Sequence, residues 1–153
     1  MDLSISVRPA TLDDLSDLQA FASAMAWETE GKRLDPDTLR RGLQRVFAQP
    51  ELAEYWVAVR NEAVVGTLML TYEWSDWRCG LWWWIQSVYV PPEARRSGVF
   101  RALYRHAEAR ARETPGVCGL RLYVETQNLR AQATYRQLGM RDAHYQVMEA
   151  AFD

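Results

Sequence analysis

Two arginines and a glycine lie close together in the middle of the chain, in a setting that suits an anionic ligand. Arg95, Arg96 and Gly98 follow an apolar run that ends at Val90 and precede an amphipathic segment that begins at Val99. The N-terminus of a helix offers unpaired backbone N–H groups and the positive end of the helix dipole. A glycine there lets these groups approach a bulky anion, because no side chain is in the way. The residue types and their spacing therefore predict a phosphate site.

Two common phosphate loops are excluded by the positions of the glycines. A Walker loop needs Gly-Lys-Ser or Gly-Lys-Thr after an earlier glycine, and a dinucleotide-binding fold needs Gly-x-Gly-x-x-Gly. Neither pattern occurs in the sequence. The anion site predicted around Gly98 therefore belongs to another class.

The stretch from Ser87 to Leu103 resembles the acyl-CoA-binding motif of the GCN5-related N-acetyltransferases (GNATs). That family carries Val-x-Pro-x-x-Arg-Gly-x-Gly-x-Gly/Ala at its fourth strand and third helix, and the later part of the motif holds the pyrophosphate of CoA. The residues that match in register are Val90, Pro92, Arg95 and Gly98. Two positions differ, since Arg96 replaces a usual glycine and Phe100 replaces the second glycine or alanine.

The resemblance implies that one continuous segment binds CoA. Its members are Val88, Tyr89, Val90, Arg95, Arg96, Ser97, Gly98, Val99 and Phe100. Arg96 adds a positive charge near the phosphates. Phe100 either places a large ring where the backbone normally approaches the phosphates or turns inward as the first core residue of the helix. The alternative interpretation of the motif is a surface Arg-Arg pair at the start of a helix.

A second segment, from Leu122 to Met140, resembles the C-terminal signature of the same family, Asn-x-x-Ala-x-x-x-Tyr-x-x-x-Gly-Phe/Met. The residues in register are Asn128, Ala131, Tyr135, Gly139 and Met140. Residues four apart share one face of a helix, so Ala131 and Tyr135 look toward the same place. In the family that place is the CoA arm and its sulfur, so the resemblance adds Asn128, Ala131 and Tyr135 to the cofactor-binding residues. Taken separately, Asn128 also fits an ordinary N-cap and Tyr135 an ordinary packing residue.

The resemblance implies a ternary mechanism in which an amine attacks the thioester of acetyl-CoA directly and CoA leaves as a thiolate. The oxyanion donor is expected to be the backbone N–H near Val88, where the central strand of the family bulges. Tyr135, whose unperturbed pKa is about 10, stays protonated at neutral pH and is the expected acid for the thiolate. No metal is expected to take part.

A base must accept the proton of the amine, directly or through water. Some relatives have a glutamate five residues before the asparagine of the second motif, a position that Tyr123 occupies here. Glu125 is the nearest carboxylate, because strand alternation predicts that it shares a face with Tyr123. Glu73, near the end of the third strand, is its competitor. Each of the two also fits a solvated charge at the end of a strand.

The amine site is expected between the loop that joins the first two helices and the third and fourth strands. Carboxylates beside aromatic rings suit a cationic amine, and the candidates for the walls are Trp27, Glu28, Glu30, Trp74 and Trp82. A small molecule, a peptide N-terminus and a lysine side chain all stay open as acceptors. The alternative function is a non-catalytic CoA-binding module of the same fold.

Strands and helices alternate along the sequence in a way that positions both motifs. A run that is apolar on both faces, Leu81–Val90, predicts a central strand covered on each side. The predicted order is strand Ile5–Arg8, a helix capped by Thr11, a polar loop Trp27–Asp35, a helix capped by Asp35, strands Tyr55–Arg60, Ala63–Tyr72 and Leu81–Val90, helix Gly98–Arg112, strand Val117–Val124, helix Asn128–Leu138 and strand Ala143–Met148. The fold class is therefore α/β, with a central mixed β-sheet flanked by helices, as the GNAT resemblance also implies.

The length and charge of the chain limit its organisation and its partners. A chain of 153 residues fits a single acetyltransferase domain over residues 1–153. The net charge of -2 gives no reason to expect nucleic acid or an anionic membrane surface as a partner. The start of the sequence lacks the pattern of a signal peptide, and two cysteines suit a reducing compartment, so a cytoplasmic location is expected. The expected partners are acetyl-CoA and an amine, and a homodimer stays open.

Overall fold

The computed structural model describes residues 4 to 152. The chain divides into two compact units, the first ending at Leu122 and the second beginning at Tyr123. The first unit contains five strands, which are β1 (Ser6–Pro9), β2 (Glu54–Arg60), β3 (Ala63–Ser75), β4 (Gly80–Tyr89) and β5 (Val117–Leu122). It also contains the helices α1 (Leu15–Glu30), α2 (Pro36–Ala48) and α3 (Val99–Glu113), with 3-10 turns at Leu12–Asp14 and Pro92–Ala94. The second unit contains α4 (Leu129–Gln137). The single domain over residues 1–153 stays a prediction.

The five strands form one sheet in the order β1-β2-β3-β4-β5. The pairs from β1 to β4 are antiparallel, whereas β4 and β5 are parallel and are connected through α3. A parallel pair needs such a crossover, because the chain must return to the same end of the sheet. The predicted mixed sheet flanked by helices is therefore confirmed. Within residues 4–152 no helix is both long and apolar enough to cross a bilayer.

The two faces of the sheet are covered by different helices. Neighbouring residues of a strand point to opposite faces, and Val57 of β2 packs with Leu15 and Leu18 of α1 and Leu43 of α2. On the other face Trp56 meets His106 of α3, with ring centroids 4.4 Å apart. The sheet thus lies between α1 and α2 on one side and α3 on the other.

A glycine in β3 sets how closely α3 approaches the sheet. A Cβ atom on Gly66 would lie only 2.6 Å from Cγ1 of Val99 and 3.3 Å from Cδ1 of Leu103. Val99 and Leu103 are each 1% exposed, so the first turn of α3 is pressed against the strand. Because packing this tight leaves little freedom, the N-terminus of α3 is held in a fixed position.

The predicted helix caps are confirmed. Thr11 forms a capping box with Asp14, whose carboxylate also accepts hydrogen bonds of 2.8 and 3.0 Å from Arg8. These hydrogen bonds hold the pKa of Asp14 below its usual value. Asp35 accepts from the backbone N–H of Thr38 at 2.9 Å, with Pro36 in the first turn of α2. Thr11 therefore caps the 3-10 turn that leads into α1, and Asp35 caps α2 itself.

Three predicted boundaries are wrong. The predicted loop at Trp27–Asp35 is helical as far as Glu30, because Gly31, with φ of 62°, provides the left-handed residue that ends α1. Charged side chains on an exposed face do not interrupt a helix. β3 continues to Ser75, beyond the predicted Tyr72, since it pairs with β4 up to Gly80. β5 ends at Leu122, two residues before the predicted Val124.

The predicted strand Ala143–Met148 is also wrong, since no strand is present between residues 141 and 152. Its apolar members Tyr145, Val147 and Met148 are exposed. Alternation of apolar and polar residues fits a strand, but it does not supply the backbone hydrogen bonds of a neighbouring strand. The pattern alone therefore overestimated the sheet by one strand.

Candidate active site

A bulge interrupts β4 beside the first motif. Met69 of β3 faces Gln86, and Thr67 faces Tyr89, so three residue steps on β4 correspond to two on β3. Ser87, within this interval, has a φ of 50°. An extra residue of this kind bends a strand and redirects its backbone groups. β4 thus bulges where the resemblance places the oxyanion donor near Val88.

β4 also separates from β5 at this place. The last residues that pair are Ile85 and Leu122, whereas β4 continues as far as Tyr89. In the described part of the chain, the segment after Ile85 is therefore paired on the β3 side only. This edge of β4, next to the bulge, therefore has no β5 partner.

The loop after β4 leads into the N-terminus of α3, where Gly98 borders open space. Gly98 is the N-cap residue of α3 with φ of 87°, and apart from its neighbours in the chain no atom lies within 4 Å of the position that its Cβ would occupy. Ser97 donates to the carbonyl of Ala94 at 2.6 Å and accepts from Arg60 at 3.0 Å, which fixes the loop. Arg96 is exposed and also has a positive φ of 63°. The first turn of α3 therefore presents its backbone N–H groups outward.

Val99 and Phe100, the first two residues of α3, have distinct settings. Val99 is buried against Gly66 and contributes its backbone rather than its side chain to the surface of the helix start. Phe100 is half-buried, and its ring centroid is 6.3 Å from that of Tyr104 on the next turn. Phe100 thus lies along α3 beside Tyr104.

Glu28, near the end of α1, forms hydrogen bonds with Tyr89 at the end of β4 and with Arg95 in the loop that follows. Its carboxylate accepts hydrogen bonds of 2.8 Å from the hydroxyl of Tyr89 and of 2.8 Å from Nη2 of Arg95. Nε of Arg95 donates to the carbonyl of Val90 at 2.8 Å. Hydrogen bonds from Tyr89 and Arg95 lower the pKa of Glu28, so its negative charge is retained at neutral pH. The sequence placed Glu28 in the wall of the amine site, whereas the structure shows it as the partner of two predicted CoA-binding residues.

Glu73 belongs to a network across three strands. It accepts hydrogen bonds of 2.8 Å from the indole Nε1 of Trp84 and of 3.0 Å from Nη1 of Arg121. The guanidinium of Arg121 also lies 4.0 Å from the ring centroid of Trp82. These contacts give Glu73 the role of tying β3, β4 and β5 together.

The second unit positions the residues of the second motif on a short helix. Asn128 caps α4 by accepting from the backbone N–H of Ala131 at 3.1 Å. Ala131 and Tyr135 are both half-buried on one stripe of the helix, and burial raises the pKa of the Tyr135 phenol. Gly139, with φ of 104°, ends the helix as predicted.

Glu125 lies in the turn that leads into α4 rather than in a strand. Its carboxylate accepts from the backbone N–H of Gln127 at 2.7 Å, and the side chain is exposed. Because β5 ends at Leu122, strand alternation no longer places Glu125 on a common face with Tyr123. The expectation that Glu125 is the base therefore rests on its proximity to the motif in sequence.

A cavity of about 260 Å³ opens in the first unit, between α1, α2 and the sheet. The residues that line it are Leu18, Ala22, Met25, Ala26, Thr29, Glu30, Leu34, Leu39, Leu43, Tyr55, Thr67 and Ser87. Of the five predicted wall residues, only Glu30 lines this cavity. One pattern in the sequence could have indicated this cavity. Leu18, Ala22 and Ala26 recur at four-residue steps, so two small side chains lie on the inward face of α1.

The described residues offer no metal site, since none of residues 4–152 belongs to a group of three or more His, Cys, Asp or Glu side chains suited to hold an ion.

Comparison with known proteins assigns this arrangement to a family of acetyltransferases. Residues 12–140 match the model of the acetyltransferase (GNAT) family. The chain belongs to this family. No curated protein matches the chain.

Solved structures agree with this assignment. A possible acetyltransferase from Clostridium difficile 630 is 40% identical over 99% of both chains, with a TM-score of 0.90. A probable acetyltransferase is 26% identical, with a TM-score of 0.83, and the match covers 97% of this chain and 98% of that protein's chain. A predicted acetyltransferase from Clostridium acetobutylicum, solved with acetyl-CoA, is 18% identical over 96% of both chains with a TM-score of 0.77, which shows a common fold.

Proposed function

We propose that the protein transfers the acetyl group of acetyl-CoA to a primary amine by direct attack in a ternary complex. The observation that carries the proposal is the combination, within one unit, of a bulged strand that continues beyond its pairing with β5, an exposed glycine-capped helix start and an adjacent cavity. Membership of the GNAT family and a structural relative solved with acetyl-CoA support this donor.

The helix start is the proposed site for the pyrophosphate of CoA. Backbone N–H groups of the first turn of α3 and the positive end of its dipole attract phosphate oxygens, and Gly98 leaves space for them. Arg96 adds charge from its exposed position, while Glu28 holds Arg95 beside the strand end. The proposed cofactor-binding residues are Val88, Tyr89, Val90, Arg95, Arg96, Ser97, Gly98, Val99, Phe100, Asn128, Ala131 and Tyr135.

The chemistry needs an oxyanion donor, a base and an acid. As the amine nitrogen bonds to the carbonyl carbon, the backbone N–H near Val88 stabilises the negative charge on the oxygen. When the C–S bond breaks, Tyr135 gives its proton to the thiolate sulfur. Burial raises the pKa of Tyr135, so the phenol is protonated and able to donate throughout the neutral range.

Glu125 is the proposed acceptor of the amine proton, directly or through water. It is exposed to solvent, and it lies three residues before the asparagine of the second motif. Glu73 is the weaker candidate, because its carboxylate is held by Trp84 and Arg121.

Acetyl-CoA is expected to stabilise the folded protein. A ligand that binds only the native state adds RT ln(1 + [L]/Kd), or about 2.7 kcal/mol at a hundredfold excess over Kd. The measurement is thermal unfolding with and without millimolar acetyl-CoA, with adenosine as a control that lacks the pyrophosphate. An unchanged Tm with acetyl-CoA would contradict the proposal, whereas stabilisation without turnover on any amine would favour the non-catalytic CoA-binding module.

A further inference from the structure

The shape and lining of the cavity between α1, α2 and the sheet indicate which class of amine it accommodates. This inference about the acceptor rests on the proposed function. It exists because α1 presents Ala22 and Ala26 to the sheet, where larger residues would fill the space. Leu18 and Leu43, each 2% exposed, belong to both the cavity lining and the hydrophobic core beneath it. The cavity is therefore built into the packing of α1 and α2 against the sheet.

The lining offers few groups to a polar ligand. The hydroxyl of Thr29 donates to the carbonyl of Met25 at 2.7 Å, and that of Thr67 donates to the carbonyl of Trp56 at 3.2 Å. Burial raises the pKa of Tyr55, so its phenol is uncharged at neutral pH. Most of the other lining side chains are aliphatic, and the described residues that line the cavity include no arginine, lysine or histidine.

The cavity has a polar end next to the bulge of β4. Ser87 lies in the bulge itself, where the thioester is proposed to sit. The hydrogen bond from Tyr89 to Glu28 places the last turn of α1 at this end of β4, and Thr29 and Glu30 follow directly in sequence. The carboxylate of Glu30 lies 3.7 Å from Nζ of Lys32, and its side chain is 61% exposed, so the attraction that it offers to a second cation is weak and screened. An amine nitrogen is thus accommodated at the end where acetyl transfer would occur.

The opposite end of the cavity is apolar. Tyr55 lies on β2, two strands away from Ser87 in the sheet. Leu39 and Leu43 of α2 belong, with Tyr55, to the hydrophobic cluster that packs around Val57 of the same strand. The body of a ligand whose nitrogen lies at the bulge therefore extends over aliphatic and aromatic side chains.

We infer that the acceptor is a small primary amine carried on a compact apolar body of about the size of a phenyl ring with a two-carbon linker, without a carboxylate or phosphate. An apolar cavity of about 150 Å³ accommodates benzene, so 260 Å³ accommodates a ring together with a short linker. A carboxylate on the apolar body would lose its hydration without gaining a cationic partner, which is costly, because the nearby ammonium of Lys32 is paired with Glu30 at the polar end.

The first test compares amines in an assay that follows release of the CoA thiol. Four probes accompany 2-phenylethylamine: L-phenylalanine, which adds a carboxylate to the same body, ethylamine, which lacks the ring, spermidine, and a peptide with one lysine. We expect kcat/KM for 2-phenylethylamine to exceed that for ethylamine by roughly 10- to 100-fold, the value of burying a ring, and that for L-phenylalanine by at least about 10-fold.

The second test fills the cavity. Ala22→Leu adds three carbons to a lining position and keeps a good helix former. We expect it to lower the ratio of kcat/KM for 2-phenylethylamine to kcat/KM for ethylamine at least about 10-fold, and to keep the stabilisation by acetyl-CoA. Ala20→Leu is the matched control, because Ala20 is exposed on the same helix and does not line the cavity; its preference among the amines should equal that of the unmodified protein.

The outcomes separate this inference from the proposed function. Faster acetylation of L-phenylalanine, spermidine or the lysine peptide than of 2-phenylethylamine would overturn the acceptor class and leave acetyl transfer intact. An Ala22→Leu protein that binds acetyl-CoA and retains full preference for 2-phenylethylamine would place the amine outside the cavity. Absence of thiol release with every amine, with stabilisation by acetyl-CoA retained, would overturn the proposed function itself and this inference with it.

Discussion

Replacement of Tyr135 by phenylalanine is expected to lower kcat by roughly 10²- to 10⁴-fold, the span for loss of a general acid. The change removes one hydroxyl and keeps the ring, so the packing of α4 is retained. The affinity for acetyl-CoA, measured by calorimetry, should change little. A loss of only about tenfold would indicate that the thiolate leaves largely without a proton donor, and that the phenol only positions it.

The pH profile provides a second measurement of the same role. Because burial raises the pKa of Tyr135 above its ordinary value, the proton is lost only at strongly alkaline pH. We therefore expect kcat to be constant with respect to this group through the neutral range and to fall only above about pH 10. The alkaline fall should be absent in Tyr135→Phe. If the variant instead unfolds or loses acetyl-CoA affinity at unchanged turnover per bound cofactor, Tyr135 is a packing residue.

Gly98→Val is expected to abolish the stabilisation by acetyl-CoA, as measured by thermal unfolding. Gly98 has a φ of 87°, which a β-branched residue adopts only with strain, and its side chain would enter the open space above the helix start. Both effects act where the pyrophosphate is proposed to bind.

Gly116→Val is the matched control for this substitution. Gly116 has a φ of 84° and also has no atom within 4 Å of its Cβ position apart from its chain neighbours, but it precedes β5, beyond the other end of α3. We expect both variants to lose a similar stability, on the order of 1–2 kcal/mol, and only Gly98→Val to lose its response to acetyl-CoA. An equal response in the two variants would move the CoA site away from Gly98.

Local patterns in the sequence were sufficient for most elements of the fold. Asp35 caps α2 as predicted, and Thr11 caps the 3-10 turn that leads into α1, because an N-cap depends on residues within one turn. The turn at Asn61 and Glu62 joins β2 and β3 with positive φ angles of 52° and 66°. The family motif also indicated the bulge near Val88, which no local propensity predicts.

What the sequence could not show depends on contacts between distant residues. Glu28 and Arg95 are 67 positions apart, so nothing in either neighbourhood indicates their hydrogen bond. The cavity, likewise, is formed by side chains from two helices and three strands. The false strand at Ala143–Met148 has the same origin, because a strand forms only where another strand is available to pair with it.

The most direct test of the central claim is the balance of products when the protein is incubated with acetyl-CoA and 2-phenylethylamine. The proposed function predicts that free CoA thiol and N-acetylated amine appear in equal amounts, that neither appears without the amine, and that the intact protein gains no acetyl group. Thiol release without acetylated amine, or formation of an acetylated protein that then reacts with the amine, would contradict direct acetyl transfer in a ternary complex.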